Sequence, residues 1–199
     1  MRSVPMWALA SSGFAPVFLI MGWLSAAALQ GPPYDPAAQT ISVLAAPGNS
    51  GSWVMTAAFV ALGFCHLLTA WGLRPAATAG RMALAAGGVA ALTVAVFPAP
   101  SSGGSLSHGS VAAVGFAVLA AWPVLAARAG TAVPWALRPF PSLGATAVMA
   151  AGATWFLIEL HLQGAAGVAE RAVTTLQSVW PFVVVVSCLR ESLREGSPG

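Results

Sequence analysis

Five acidic side chains and three histidines are the groups in this sequence that could move a proton or hold a metal ion. Three of them, Asp35, His108 and Glu170, stand in or beside polar stretches that interrupt long apolar runs. Carboxylates and imidazoles can act as a general acid–base pair or as metal ligands. Because the three residues come from separate segments, their spacing does not distinguish these chemistries. The sequence contains no HExxH, phosphate-loop, GxSxG or CxxC motif, so metal and cofactor both stay open.

The last apolar run carries polar residues at helical spacing. Glu170, Thr174 and Gln177 follow this spacing, as do Arg171, Thr174 and Ser178. Such a stripe cannot comfortably face lipid, so we expect it to face the inside of a helix bundle or a water-filled cavity. The structural alternative is hydrogen bonding between helices, worth about 0.6 kcal/mol on average.

Composition identifies the solvent that surrounds these residues. The chain is 58% hydrophobic and only 7% charged, whereas a soluble domain averages about 25% charged residues. A surface this apolar predicts a lipid bilayer as the environment. The eight basic residues are all arginine and form no basic run, which argues against a nucleic-acid partner.

Six apolar segments approach the roughly 20 residues that cross a hydrocarbon core. We expect spans at residues 7–29, 53–73, 82–98, 110–127, 145–162 and 172–189. The first is expected to be a retained span and not a removed signal peptide. Residues 30–52 form the predicted outer loop, with a short interfacial helix from Pro36 to about Leu44. The predicted fold class is an all-α membrane protein, a six-transmembrane-helix bundle that forms a single domain over residues 1–199.

The arginines predict the orientation of this bundle. With six crossings, Arg171 lies on one side of the membrane and the other seven arginines, among them Arg2, lie on the opposite side. The positive-inside rule therefore predicts that both termini are cytoplasmic. Small residues in the third and fifth spans, such as Gly88 and Gly152, predict close helix approach.

Several polar residues have a structural interpretation beside a functional one. Asp35 precedes Pro36, a pattern typical of a helix N-cap followed by proline at the first helical position. Glu159 lies inside an apolar span and is therefore a functional candidate, with an ion pair to Arg171 as its alternative. His66 is expected to be neutral and hydrogen-bonded to a neighbouring helix.

Five short motifs carry a family resemblance. They are Tyr34-Asp35-Pro36-x-x-x-Thr40-Ile41-Ser42-x-Leu44, Trp53-x-Met55, Phe97-Pro98, His108-Gly109 and Gly167-x-x-Glu170-Arg171. In this order the chain resembles, over nearly its whole length, the bacterial membrane family catalogued as domain-of-unknown-function family 998. One departure is that Ala99-Pro100-Ser101 stands where we expect an acidic residue soon after Phe97-Pro98.

The resemblance implies a bacterial cytoplasmic membrane and a distant similarity to the six-span Frag/DRAM/Sfk group, some of whose members are linked to lipid remodelling. It also implies that certain polar positions are characteristic of the family. These are Asp35, Thr40, Ser42, His108, Glu170 and Arg171.

Together these observations predict an outward-facing polar pocket that binds a lipid-like or amphipathic molecule, with or without catalysis. In the catalytic version His108 is the general acid or base, and Asp35 or Glu170 orients it. The predicted substrate-binding residues are Arg171, Thr40, Ser42, Glu159, Thr174 and Ser178. The alternative is a non-enzymatic small transporter, or a scaffold subunit that assembles with a membrane-protein partner or with further copies of itself.

Overall fold

The computed structural model describes residues 4–130 and 132–195, and every regular element in these ranges is helical. The elements are α1 (Met6–Gln30), α2 (Ile41–Leu44), α3 (Ser52–Gly72), α4 (Thr78–Val96), α5 (Leu106–Ala126), a 3-10 turn (Trp135–Leu137), α6 (Pro139–Leu162) and α7 (Ala166–Glu195). Six of them are long and apolar enough to cross a membrane. The predicted six-span, all-α membrane fold is confirmed. Arg2, which contributed to the predicted orientation, lies outside the described residues.

Four helices begin four to six residues earlier than the apolar runs suggest. The structure starts α4, α5, α6 and α7 at Thr78, Leu106, Pro139 and Ala166, where the predicted starts were 82, 110, 145 and 172. The reason is that their first two turns contain polar residues, which a hydropathy criterion assigns to loops. Helix ends that leave the hydrocarbon core remain helical because the backbone hydrogen bonds continue there.

The six long helices pack as a closed ring. α1 packs against α3, and α3, α4, α5, α6 and α7 then follow one another until α7 returns to α1. The backbones of α3 and α4 approach closely at two glycines. A Cβ added to Gly63 would lie 2.8 Å from the carbonyl oxygen of Gly88, and one added to Gly88 would lie 2.8 Å from that of Gly63. The predicted role of small residues in the third span is confirmed at Gly88.

The two ends of the bundle differ in their loops. We call the end formed by residues 31–51, 97–105 and 163–165 the long-loop end. The other end, formed by residues 73–77, the described part of 127–138 and the end of α7, is called the arginine end. At the long-loop end the short helix α2 contacts α1, α3 and α7, and its Ile41 and Leu44 are buried. The predicted short helix therefore exists, but it is four residues long and inserts into the mouth of the bundle.

Candidate functional site

Glu170 is the buried carboxylate of the long-loop end. It lies in the second turn of α7 and only 3% of it is exposed. One carboxylate oxygen accepts the backbone N–H of Ile41, and the other accepts the hydroxyl of Ser42 at 2.9 Å. Ile41 is the first residue of α2, so its N–H has no partner within that helix. Glu170 therefore holds the start of α2 against α7.

Arg171 holds the preceding part of the loop. Its Nη1 donates to the carbonyl oxygens of Pro36 (2.8 Å), Gln39 (3.1 Å) and Gly167 (2.8 Å). Its Nη2 donates to the hydroxyl of Tyr34. Glu170 and Arg171, adjacent residues of α7, therefore both hydrogen-bond to the loop segment 34–42.

Aromatic rings complete the surroundings of Arg171. Its Cζ lies 5.9 Å from the centre of the Trp23 ring and 6.0 Å from that of Tyr34, within the range of cation–π attraction. Burial raises the pKa of the Tyr34 phenol, although Arg171 acts in the opposite direction. The phenol therefore keeps its proton at neutral pH and donates it to the carbonyl oxygen of Gln39 at 3.3 Å.

His108 lies in the first turn of α5, which begins beneath the loop 97–105. Its backbone N–H is capped by the Ser105 hydroxyl at 3.3 Å, and its Nδ1 lies 2.9 Å from the carbonyl oxygen of Phe97. A carbonyl oxygen can only accept, so Nδ1 carries the hydrogen. In the neutral ring, Nε2 is then a hydrogen-bond acceptor and a base.

A cavity of about 450 Å³ brings several of these residues together. Its polar lining comes from the loops, the first turn of α5 and the second turn of α7, and includes Thr40, Ser42, Ser101, Ser105, His108 and Glu170. Its apolar lining comes from α5 and α6, and includes Ala113, Phe116, Phe156, Leu157 and Leu160. Leu157 and Leu160 are half exposed on the outside of the bundle, so the cavity has a polar wall and an apolar wall that reaches the lipid-facing surface.

A second, smaller cavity of about 80 Å³ lies deeper between α3, α4, α5 and α7. Apart from Ser42, Glu170, Thr174 and Gln177, its lining is apolar. Ser42 and Glu170 line both cavities. This hydrogen-bonded pair is therefore the polar element between the two spaces.

The chain matches the family described as protein of unknown function DUF998 over residues 14–187. It belongs to this family. The match extends from α1 to near the end of α7 and includes the candidate residues from Asp35 to Ser178. No curated protein and no solved structure matches the chain. The similarity to the Frag/DRAM/Sfk group stays a prediction.

In this DUF998 chain the polar stripe of α7 faces inward, as predicted. Gln177 and Ser178 are 2% and 1% exposed. Gln177 donates to the carbonyl oxygen of Phe116 on α5 at 3.1 Å. The Thr174 hydroxyl donates to the carbonyl oxygen of Glu170 at 2.7 Å, and that of Ser178 donates within α7 as well. Thr174 borders the deeper cavity, whereas Ser178 lines neither cavity.

The predicted helix cap at Asp35 is wrong. Asp35 is exposed, and its Oδ1 accepts the N–H of Ala37 at 2.9 Å. This bond to the residue two positions on forms a turn, not a helix start. The N-cap of α2 is Thr40, whose hydroxyl accepts the N–H of Val43 at 3.3 Å. Asp35 does not line either cavity, and its side chain makes no hydrogen bond to His108 among the described residues.

Glu159 stabilises the turn between α6 and α7. Its carboxylate accepts the Trp155 indole N–H at 3.1 Å and the Ala165 N–H at 2.7 Å. Gln163 adopts a left-handed conformation (φ 54°), which turns the chain back toward the end of α6. Within residues 4–130 and 132–195, Glu159 therefore forms no ion pair with Arg171, the alternative that the sequence left open.

The hydrogen bond expected for His66 is also absent from the described part of the chain. His66 is 1% exposed in α3, and its Nδ1 has no partner there. Across the same residues, no group of three His, Cys, Asp or Glu side chains is placed to hold a metal ion.

Sequence reasoning missed the Phe97 carbonyl and the Tyr34 phenol. A backbone acceptor leaves no signal in a sequence. Tyr34 did leave one, because it is the only tyrosine in the chain and directly precedes Asp35 in the polar loop.

Proposed function

We propose that the long-loop cavity binds a lipid-like or amphipathic molecule. The observation that carries this proposal is the division of one cavity into a polar wall of loop residues and an apolar wall of α5 and α6 residues. Ligand sites typically combine apolar lining with a few convergent polar groups. The half-exposed Leu157 and Leu160 give an apolar tail a route from the bilayer.

The polar wall supplies hydrogen bonds to a headgroup. His108 offers Nε2 as an acceptor, because Nδ1 donates to Phe97. The hydroxyls of Thr40 and Ser105 line the same wall. Arg171 has a positioning role in this proposal, since its donors bind the loop.

A second candidate function is proton transfer by His108. The supporting observation is the Nδ1 hydrogen bond, which fixes the ring and leaves Nε2 as the base. The Phe97 carbonyl takes the orienting role that the sequence suggested for Asp35 or Glu170. His108→Asn keeps a donor for Phe97 and removes the base. A lipid incubated with the parent should be converted, and with His108→Asn should stay unchanged. Equal conversion by both would exclude His108 as the base.

The orientation that we propose places both termini in the cytoplasm and the cavity on the outer side of a bacterial cytoplasmic membrane. It is supported by the arginine end, which carries Arg74, Arg81, Arg128, Arg138, Arg190 and Arg194, against Arg171 at the long-loop end. A membrane-impermeant thiol reagent should label Ser102→Cys in spheroplasts and Ala129→Cys only after permeabilisation. The reverse pattern would overturn the orientation.

A filled cavity tests the binding proposal directly. Ala113 is exposed on α5 and lines the cavity, whereas Ala117, one turn further along, is exposed and does not line it. We expect Ala113→Trp to reduce the lipid retained in native mass spectrometry at least about tenfold, a loss of about 1.4 kcal/mol. Ala117→Trp is the matched control and should retain lipid as the parent does.

The other outcomes separate the alternatives. Equal retention by both tryptophan variants and the parent would mean that the cavity is not the binding site. If the parent retains no lipid and copurifies with another membrane protein, the scaffold function replaces the proposed one. Transport of a solute in vesicles that Ala113→Trp leaves unchanged would equally contradict the lipid site.

A further inference from the structure

The arginine end contains a cavity that the proposed function does not use. Its volume is about 530 Å³, and it lies between the start of α4 and the end of α5. Three of the eight arginines of the chain line it: Arg74, Arg81 and Arg128. The remaining lining is small, consisting of Thr78 and four alanines.

Two of these arginines are held in place by backbone carbonyls. Arg81 donates from Nε to the carbonyl oxygen of Ala70 at 2.8 Å and from Nη2 to that of Trp71 at 3.0 Å. Arg128 donates from Nη1 to the carbonyl oxygen of Pro75 at 3.3 Å. A guanidinium has five N–H donors, so both groups keep donors for another acceptor while their position is fixed.

Among residues 4–130 and 132–194, no carboxylate forms an ion pair with these three arginines. The ion pair found in that part of the arginine end joins Arg194 to Glu191 on α7. The first turn of α4 contains no acidic residue, and its N-cap side chain makes no capping hydrogen bond. The positive end of the α4 dipole therefore adds to the charge of the three guanidinium groups.

We propose that this cavity binds a phosphate group, carried by an anionic phospholipid headgroup or by a soluble phosphate compound. Guanidinium groups match the oxygens of phosphate with paired, charge-assisted hydrogen bonds. The positive-inside rule requires arginines at this end but does not require them to converge on one cavity. Arg138 illustrates the difference, since it lies at the same end, donates to the Val133 carbonyl and does not line the cavity.

The test compares Arg74→Gln/Arg128→Gln with Arg138→Gln in the full-length protein. Arg81 is left in place because it binds the last carbonyls of α3. In nanodiscs of mixed phosphatidylglycerol and phosphatidylcholine, the parent should retain phosphatidylglycerol in preference. In the double variant the ratio of retained phosphatidylglycerol to phosphatidylcholine should fall at least about tenfold, because each arginine near the membrane surface attracts anionic lipid. Arg138→Gln should keep it.

A second arm identifies the source of the phosphate. In uncharged detergent, inorganic phosphate should raise the unfolding temperature of the parent above that in chloride of equal ionic strength, if the site accepts soluble phosphate. A response in either arm that requires Arg74 and Arg128 supports the site. Equal loss on Arg138→Gln, or no preference in either arm, would show that the arginines act through general charge only and would overturn the proposal.

Discussion

The two ends of the bundle use their charged residues in opposite ways. At the long-loop end, Glu170 and Arg171 are adjacent in sequence, yet their hydrogen bonds go to the loop 34–42 and to the backbone of α7. At the arginine end, Arg81 and Arg128 keep donors beyond those that bind backbone carbonyl oxygens. The charged residues of the long-loop end therefore hold that end together, whereas those of the arginine end leave donors available to an external acceptor.

The largest effect should come from breaking the buried contact of Glu170. Glu170→Ala removes the acceptor of both the Ile41 N–H and the Ser42 hydroxyl. A buried donor left without its partner costs about 1–3 kcal/mol, so we expect the free energy of unfolding to fall by about 2–3 kcal/mol. Thermal unfolding in detergent measures this loss.

Glu170→Gln is the matched control. Its amide oxygen can accept the Ile41 N–H while its amide group donates to Ser42, so most of the stability should return. A Glu170→Ala protein as stable as the parent would show that this carboxylate does not hold α2. Equal destabilisation by both variants would assign the effect to the charge and not to the hydrogen bonds.

An intermediate effect is expected at Arg171. Arg171→Lys keeps the charge but cannot reach Tyr34 and the carbonyl oxygens of Pro36 and Gln39 together, because an ammonium group lacks the planar fork. The free energy of local opening of residues 34–42 should fall by about 1–2 kcal/mol. Faster hydrogen exchange of the amides in residues 34–42 would measure this opening.

The comparison of the two ends is sharpened by the same change at Arg81. Arg81→Lys loses one of two hydrogen bonds to the end of α3. The free energy of local opening at this end should therefore fall by only about 0.5–1 kcal/mol. If exchange rates rise equally in both variants, the contrast between an assembling end and an open end does not hold.

The fold could be predicted from the sequence because lipid imposes a simple rule. Apolar runs near the length of a membrane crossing predicted the six helices. The spacing of Glu170, Thr174 and Gln177 predicted which face of α7 is turned inward. Helix starts were missed where polar residues occupy the first two turns.

The membership of the candidate site was predicted only in part, because Asp35, Glu159, Arg171 and Ser178 line neither cavity. His108, Thr40, Ser42 and Glu170 do meet at one cavity. Their individual partners could not be predicted, because the contact of Glu170 with Ile41 joins residues 129 positions apart. Such a pairing depends on how α7 packs beside the loop, and no local pattern encodes it.

The smallest effect is expected at Asp35, where sequence and structure differ most. Asp35→Ala removes one exposed hydrogen bond, to the Ala37 N–H, and should lower the free energy of unfolding by about 0.5 kcal/mol. Asp35→Asn keeps the acceptor and should match the parent in stability. Because Asp35 does not line the cavity, both variants should retain lipid as the parent does, in contrast to Ala113→Trp. A loss of retained lipid in both Asp35 variants, with stability unchanged, would give the Asp35 carboxylate the functional role that the sequence suggested. The long-loop end would then hold charge for a ligand as well, and the contrast between the two ends would disappear.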